Sequence, residues 1–173
     1  MFDVEELPTH GGSLRVFATP IPNTKLVTTH RVDELMRREV NEGMQTVEYY
    51  ADFQPQVDAI KNDLLTFLLQ VKREGKKICG YGAAAKGNTL LNYAGVRSDL
   101  LPFVCDAAPS KQNKYLPGCH IPIVSTEHLR SACLDHVLIL PWNIAAEVVQ
   151  ENSHRVSGQC RFVTAVPQLC ELS

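Results

Sequence analysis

Short apolar runs alternate with amphipathic segments through the second half of the chain. Five apolar runs predict β-strands, at residues 78–81, 101–105, 121–123, 136–140 and 161–164. Three segments between them predict helices, at residues 86–93, 126–133 and 145–153. Strands that alternate with helices form parallel sheets joined by crossover helices. We therefore predict an α/β fold for residues 76–173, with a Rossmann-like, mostly parallel sheet flanked by helices.

The first 22 residues show a strand-like alternation instead. Apolar residues at 14, 16 and 18 alternate with polar ones, and a turn-like segment at residues 8–12 precedes them. This pattern predicts a β-ribbon. Because the ribbon begins at residue 2, we expect further chain to precede Met1 in the natural protein.

Residues 23–75 predict a helical linker followed by a long helix. A short helix is expected from about residue 32 to residue 43. Apolar positions then follow helical spacing from residue 46 to residue 74. Pro55 either kinks this long helix or marks a second helix start. Gly75 is the expected C-terminal cap.

Composition and charge exclude several classes of protein. The 173 residues are 45% hydrophobic and 21% charged, which suffices for a core and argues against a disordered chain. A net charge of -2 and a pI near 6.3 provide no basic surface for nucleic acid. The apolar runs are too short to span a bilayer, and the acidic N-terminus is unlike a signal peptide. We predict a cytoplasmic protein with no nucleic-acid or membrane partner.

The six cysteines predict reduced thiols. They form no C-x-x-C pair, and several fall in predicted strands. Buried, reduced cysteines fit this arrangement better than disulfide bonds do. His120 has no partners at zinc-ligand spacing, so we expect no metal site in this chain.

A glycine-rich turn between the first predicted strand and helix carries the strongest chemical signal. Gly80, Gly82 and Ala85 match a permissive form of the dinucleotide-binding fingerprint. Asp106 follows the next strand about twenty residues on, where a ribose-binding acid would stand. Lys86 can add a charged contact to a phosphate. The alternative interpretation is a tight strand-to-helix turn whose small residues serve packing.

Two further polar segments follow predicted strands, at the edge where open α/β sheets bind ligands. The loop at residues 107–118 carries Lys111 and Lys114, and it is either part of a binding crevice or a solvated loop. Trp142 can form an aromatic wall of a pocket. Asn143 can contact a ligand or simply cap the next helix.

The chain offers little for catalysis. No G-x-S-x-G, P-loop or H-E-x-x-H motif occurs, which removes the usual support for hydrolase and NTPase functions. His10 lies in the turn of the ribbon and could act as a base or contact a phosphate, although a lone loop histidine is more often simply polar. The catalytic residues are therefore unknown, with His10 as the single candidate.

Four blocks of sequence together resemble a known family. They are EELPTHGGSLR at 5–15, GYGAAAKGNTLLNY at 80–93, KQNKYLPG at 111–118 and LPWN at 140–143. In this order they resemble the carboxyl-terminal region of the S-adenosylmethionine (SAM)-dependent C-methyltransferases that act on nucleotide-linked deoxysugars. The resemblance covers nearly the whole chain. Asn113, where the resemblance leads us to expect glycine, departs from the pattern at one turn.

The resemblance implies a parent enzyme with three parts. These are a zinc-binding amino-terminal part, a central SAM-binding domain and a Rossmann-like carboxyl-terminal domain that helps to hold a nucleotide-linked sugar of the dTDP type. Residues 1–22 would be the last strands of the SAM-binding domain, which would be the partner of residues 76–173. The family's zinc cysteines, SAM-binding loop and Tyr-His-Glu-His catalytic motif have no counterpart in this sequence. We therefore expect SAM to be a cofactor of the parent that does not bind this chain, and we do not expect this chain to be catalytic alone.

The glycine loop and the resemblance together give a predicted substrate-binding set. Its members are Gly80, Tyr81, Gly82, Ala84, Lys86, Gly87, Asn88, Thr89, Asp106, Lys111, Lys114, Trp142 and Asn143. Two alternatives stay open. One is a free-standing Rossmann domain that binds NAD or another nucleotide, and the other is a purely structural module.

Overall fold

The chain forms two compact units, one from Met1 to Gln56 and one from Val57 onward. The computed structural model describes residues 1–9, 12–20 and 26–172. Within those ranges, no helix is long and apolar enough to cross a lipid bilayer. The three-part division at residues 22 and 75 stays a prediction.

The first unit contains a β-ribbon, an α-helix and a short 3-10 helix. Its elements are β1 (Asp3–Leu7), β2 (Ser13–Phe17), α1 (His30–Asn41) and a short 3-10 helix (Glu48–Tyr50). The two strands pair antiparallel, which confirms the predicted ribbon. Val4 and Val32 are buried, so β1 and α1 each contribute an apolar side chain to a small core.

Charged side chains join β1 to α1. Arg31 pairs with Asp3, and Arg38 pairs with Glu6. The Thr29 hydroxyl, just before α1, also donates a hydrogen bond to Asp3 at 2.6 Å. The Thr29 hydroxyl and the Arg31 guanidinium lower the pKa of Asp3, and Arg38 lowers the pKa of Glu6. Because exposed ion pairs contribute little stability individually, they act mainly to orient α1 on the ribbon.

Helix α2 (Phe53–Arg73) is the long helix predicted from the sequence. It begins seven residues later than expected, and Pro55 lies in its first turn, where proline is tolerated. Pro55 therefore marks a helix start and not a kink. Gly75, with φ at +67°, adopts the left-handed conformation of the predicted C-terminal cap.

The second unit is built on a seven-stranded sheet. Its strands are β3 (Ile78–Tyr81), β4 (Val104–Cys105), β5 (Lys114–Tyr115), β6 (Pro122–Val124), β7 (His136–Ile139), β8 (Arg161–Thr164) and β9 (Cys170–Leu172). Its further helices are α3 (Ala85–Tyr93), α4 (His128–Ser131), α5 (Ala145–Asn152) and 3-10 helices at Trp142–Ile144 and Ser153–Arg155. The strand order is β5-β6-β4-β3-β7-β8-β9. The five inner strands are parallel and both edge strands antiparallel, which confirms the predicted fold class.

Several element boundaries differ from the prediction. The strand expected at 101–105 is reduced to β4. Leu101 is fully buried although it lies outside the strand, so the apolar run is longer than the strand itself. The helix expected at 126–133 is reduced to α4. Edge strands β5 and β9 were not predicted, since two or three residues are too few for a two-residue period to show.

The sheet separates two apolar cores. Strands β3 and β7 are buried along their whole length, as expected for a parallel sheet covered on both faces. One core contains Leu64, Leu68, Leu91, Leu138 and Val163. The other contains Leu129, Val137, Ile139, Val148 and Phe162. Neighbouring residues of β7 thus enter opposite cores, which explains why the strand is a continuous apolar run in the sequence.

All six cysteines are free, and four of them are buried as predicted, whereas Cys133 and Cys170 are exposed. A hydrogen bond to Cys105, together with burial, raises the pKa of the Cys79 thiol. Burial raises the pKa of Cys160 to about 11. These two thiols therefore stay protonated near neutral pH and are poor nucleophiles.

His136 is a buried titratable group at the start of β7. It is only 7% exposed, its ring centroid lies 5.2 Å from that of Phe67, and its Nδ1 has no hydrogen-bond partner among the described residues. Burial, followed by the charge of Lys76, lowers the pKa of His136 below 6.5, and the carboxylates of Glu171, Asp135 and Glu74 only partly oppose this shift. The folded chain therefore binds this proton more weakly than the unfolded chain.

We predict that His136 makes the protein less stable in mild acid. Above pH 6.5 the histidine is neutral in both states; as the pH falls below 6.5, the unfolded state takes up the proton first, so stability declines until the folded pKa is passed. In urea titrations between about pH 7 and pH 5, His136→Phe should show a smaller decline in midpoint than the original chain. The matched change His154→Phe, at an exposed histidine, should leave the decline unaltered. An unchanged pH slope in His136→Phe would contradict the prediction.

Candidate functional site

Three loops leave the sheet side by side at the carboxyl ends of its central parallel strands. They are residues 82–84 after β3, residues 106–113 after β4 and residues 141–143 after β7. From β3 the chain moves outward to β4 and β6, and then returns to the other side of β3 to form β7. The junction of β3 and β7 is therefore the topological switch point, where open α/β sheets bind ligands. We call these three loops the carboxyl edge.

Gly82 brings the loops after β3 and β7 into direct contact. Its φ is +82°, and a Cβ atom at this position would lie 2.7 Å from Cδ of Pro141. Gly87 in α3 is equally close to the sheet, since its Cβ would lie 2.5 Å from Cβ of Leu140. Close packing against the end of β7 thus requires both glycines, as the packing interpretation of the glycine turn predicts.

The carboxylate of Asp106 is hydrogen-bonded to neighbouring residues of the chain. The residue is 6% exposed, and its carboxylate accepts hydrogen bonds from the N–H groups of Ala83 at 2.7 Å and Ala108 at 2.8 Å. Nζ of Lys111 lies 3.3 Å from the same carboxylate and donates to the carbonyl of Ala83 at 3.1 Å. The acid expected to face a ribose therefore contacts the glycine loop.

Lys86, Trp142 and Asn143 form a second cluster at the carboxyl edge. Nζ of Lys86 donates to Oδ1 of Asn143 at 2.6 Å and lies 5.3 Å from the centroid of the Trp142 ring, within the range of a cation–π contact. Asn143 does not cap α5, whose N-cap residue is Ile144. In the described part of the chain, no salt bridge includes Lys86. Its charge is therefore uncompensated by a carboxylate.

Helix α3 begins beside this cluster without a side-chain cap. Ala84 is the N-cap residue, and its side chain makes no capping hydrogen bond to the first turn. The first helical hydrogen bond is donated by Asn88 to the Ala84 carbonyl at 2.9 Å. The N–H groups of residues 85–87 therefore have no acceptor within the helix, and their partial positive charge favours an anion.

Several other predicted residues make contacts within the fold. Gly80 and Tyr81 lie inside β3, where Tyr81 is buried. The side-chain oxygen of Asn88 accepts a hydrogen bond from Asn92 at 3.2 Å. The Thr89 hydroxyl donates to a backbone carbonyl one turn earlier at 3.2 Å. These contacts give each side chain a structural role.

Of the remaining predicted residues, Lys114 lies away from both clusters, and His10 cannot be placed. Lys114 lies on edge strand β5 and donates to the carbonyl of Ser110 at 2.7 Å. Strands β6 and β4 separate β5 from β3 in the sheet. His10 lies outside the described residues.

Asn92 and Gly118 were not predicted as site residues, yet they anchor the loop between β5 and β6. Nδ2 of Asn92 donates to the carbonyl of Pro117 at 3.0 Å, and a Cβ on Gly118 would collide with the side-chain oxygen of Asn92. Asn113, with φ at +59°, replaces the expected glycine without conflict, because asparagine tolerates the left-handed conformation. The Pro-Gly pair signals a turn, but nothing in the sequence indicates its contact with Asn92.

A cavity of about 340 Å³ lies at the opposite edge of the sheet, near the start of β3. Its lining is largely apolar, and its Lys72 and Lys76 pair with Asp99 and Glu74. Among the described residues, no group of three or more histidine, cysteine, aspartate or glutamate side chains could hold a metal ion.

Comparison with known proteins agrees with this architecture. The family model described as C-methyltransferase C-terminal domain matches residues 8–167. The chain belongs to this family. It is also similar to C-methyltransferase NovU of Streptomyces niveus, with 31% identity over 166 residues. That alignment covers 96% of this chain and 39% of NovU, so the chain spans about two fifths of the length of this relative. The resemblance to the carboxyl-terminal region of C-methyltransferases is thereby confirmed.

We predict that the contact between Gly82 and Pro141 makes Gly82 far less replaceable than other glycines of similar conformation. Gly95, with φ at +70°, is the matched control, because a Cβ atom added there would meet nothing within 4 Å. Gly95→Ala should cost about 1–2 kcal/mol, the strain of a left-handed alanine. Gly82→Ala should cost about 1–3 kcal/mol more, because Pro141 must also be displaced. Urea unfolding of both variants measures the difference, and equal losses would show that the Pro141 contact is unimportant.

Proposed function

We propose that this chain is the substrate-binding and interdomain part of a SAM-dependent C-methyltransferase that acts on a nucleotide-linked sugar, and that it is not catalytic alone. Its membership of the C-methyltransferase C-terminal domain family supports the assignment to a C-methyltransferase. The observation that carries the proposed binding role is the cluster of Lys86, Trp142 and Asn143 beside the uncapped start of α3.

This cluster has the chemistry that a nucleoside diphosphate requires. The N–H groups of residues 85–87 can donate to phosphate oxygens, and the Lys86 ammonium can add a charge-assisted contact. Asn143 holds Nζ of Lys86 near the Trp142 ring, which restricts where that charge can point. A diphosphate of the dTDP type would therefore meet two sources of positive charge, both already in place.

The upstream, SAM-binding part of such an enzyme is the proposed partner of this chain. In NovU, 61% of the length lies outside the alignment (100% minus 39%) and could hold such a domain. In β2, Leu14 and Val16 are 50% and 54% exposed, and these apolar side chains would be covered if residues 1–22 complete that domain.

The residues of the carboxyl edge do not fit SAM. A ribose-binding acid must offer its carboxylate to hydroxyl groups, but Asp106 is buried and already accepts hydrogen bonds from Ala83 and Ala108. Pro141 also occupies the space next to Gly82. These contacts support the proposal that SAM binds elsewhere in the parent enzyme. They also weaken the alternative of a free-standing NAD-binding domain, which needs the same acid.

A structural module without a ligand is the second candidate function. The contact between Pro141 and Gly82 favours it, because part of the crevice that a dinucleotide uses in this fold is filled by the protein. Under this hypothesis the second unit would only support the rest of the enzyme.

Calorimetric titration of the 173-residue chain with dTDP, UDP, NAD and SAM separates these functions. We expect dTDP or UDP to bind and NAD and SAM not to bind. Lys86→Ala should weaken nucleotide binding by about 1.5–3 kcal/mol, the contribution of a charged hydrogen bond. That loss corresponds to about tenfold to over a hundredfold in the dissociation constant.

The matched control is Lys72→Ala, which removes an exposed lysine at the opposite edge of the sheet. It should leave nucleotide affinity unchanged. Binding of NAD would favour the free-standing nucleotide-binding domain. If neither dTDP nor UDP bound to this chain or to an intact parent enzyme, the substrate-binding role would be wrong and the structural module would be favoured.

A further inference from the structure

Both polar backbone groups of Ala83 are held by side chains from the loop after β4. Its N–H donates to Oδ2 of Asp106 at 2.7 Å, and its carbonyl accepts from Nζ of Lys111 at 3.1 Å. The lysine and the carboxylate also contact each other at 3.3 Å. The two peptide groups on either side of Ala83 are therefore fixed in orientation immediately before α3 begins.

Three further hydrogen bonds fix Asp106 in place. Its N–H donates to the carbonyl of Val124 at 3.0 Å, its carbonyl accepts from Nε2 of Gln112 at 2.9 Å, and its other carboxylate oxygen accepts from Ala108 at 2.8 Å. Asp106 thus joins β6, its own loop and the loop after β3. A buried carboxylate with this many donors has a single orientation.

We propose that Asp106 is a positioning residue, with Lys111 as its counter-charge, and that neither contacts the ligand. By fixing Ala83, the pair sets the direction in which α3 starts, and with it the N–H groups of residues 85–87 and the Lys86 side chain. A site whose donors are fixed before binding loses less free energy on ordering. The effect on affinity rests on the proposed function, whereas the effect on the loop does not.

The direct alternative is that Asp106 binds a ribose hydroxyl, as its place in the sequence predicts. The two roles differ in which ligands lose affinity when Asp106 is changed. A ribose contact affects UDP, which has a 2′-hydroxyl, but not inorganic pyrophosphate, which has no sugar. A positioning role affects both ligands by the same factor, because it acts through the phosphate-binding groups.

The experiment uses Asp106→Asn, which preserves the shape of the side chain and removes its charge. Amide hydrogen exchange followed by NMR should show that Ala83 loses protection by about tenfold or more, relative to Leu138 in β7, which reports global stability. Affinities for UDP and for pyrophosphate should fall together, on the order of tenfold each. Lys111→Met should also speed exchange near Ala83. Gly95→Ala, which acts just after the other end of α3, should change neither the relative exchange at Ala83 nor the affinities.

Each result decides between the two roles. Unchanged relative exchange at Ala83 in Asp106→Asn overturns the proposal. A loss of affinity for UDP alone overturns it in favour of a ribose contact. If the original chain binds none of UDP, dTDP and pyrophosphate, the proposed binding role of this chain fails, and exchange at Ala83 still decides whether Asp106 fixes the loop. For Lys111, lost pyrophosphate affinity with normal exchange would indicate a direct phosphate contact and overturn its part in the proposal.

Discussion

The contact between Gly82 and the ring of Pro141 joins the two loops on which the candidate site depends. Strands β3 and β7 are neighbours in the sheet but distant in the sequence, and the left-handed turn at Gly82 lets the backbone meet Pro141 where a side chain would not fit. Gly87 allows α3 to lie equally close to Leu140. Because both contacts need a hydrogen in place of a side chain, the start of α3 has little freedom relative to the end of β7. Lys86 and Asn143 meet as a result.

A division of roles among the polar residues follows from this geometry. Asp106 and Lys111 direct their charges inward, onto the backbone of Ala83 and onto each other. Lys86 instead keeps a charge that no carboxylate among the described residues balances, beside helix N–H groups that the N-cap side chain does not cap. One cluster therefore stabilises the loop, and the other retains the capacity to attract an anion. This arrangement agrees with a domain that holds a phosphate-bearing substrate for chemistry carried out elsewhere.

The chain belongs to the C-methyltransferase C-terminal domain family, and we propose that these features act in a larger enzyme. The chain aligns with about two fifths of NovU. The pKa values of its buried Cys79 and Cys160 thiols are raised, and Asp106 accepts a hydrogen bond from Ala83 within the chain. Methyl transfer needs a base positioned beside the substrate and donors aimed at the developing charge. In the proposed arrangement, the upstream part supplies those groups, and this chain supplies a fixed cationic edge.

The order and type of the main elements could be predicted from the amino-acid pattern, because buried parallel strands and amphipathic helices leave apolar periodicities that are local. The same pattern indicated the glycine turn, Lys86 and Asn143 as candidates. It did not reveal β5 and β9, which are too short to show a period, or the anchoring role of Asn92. Which glycines serve packing, and the bond from Ala83 to Asp106, became visible in the folded chain alone. Those roles depend on contacts between loops far apart in the chain, and such contacts are set by the order of strands in the sheet, which no local pattern records.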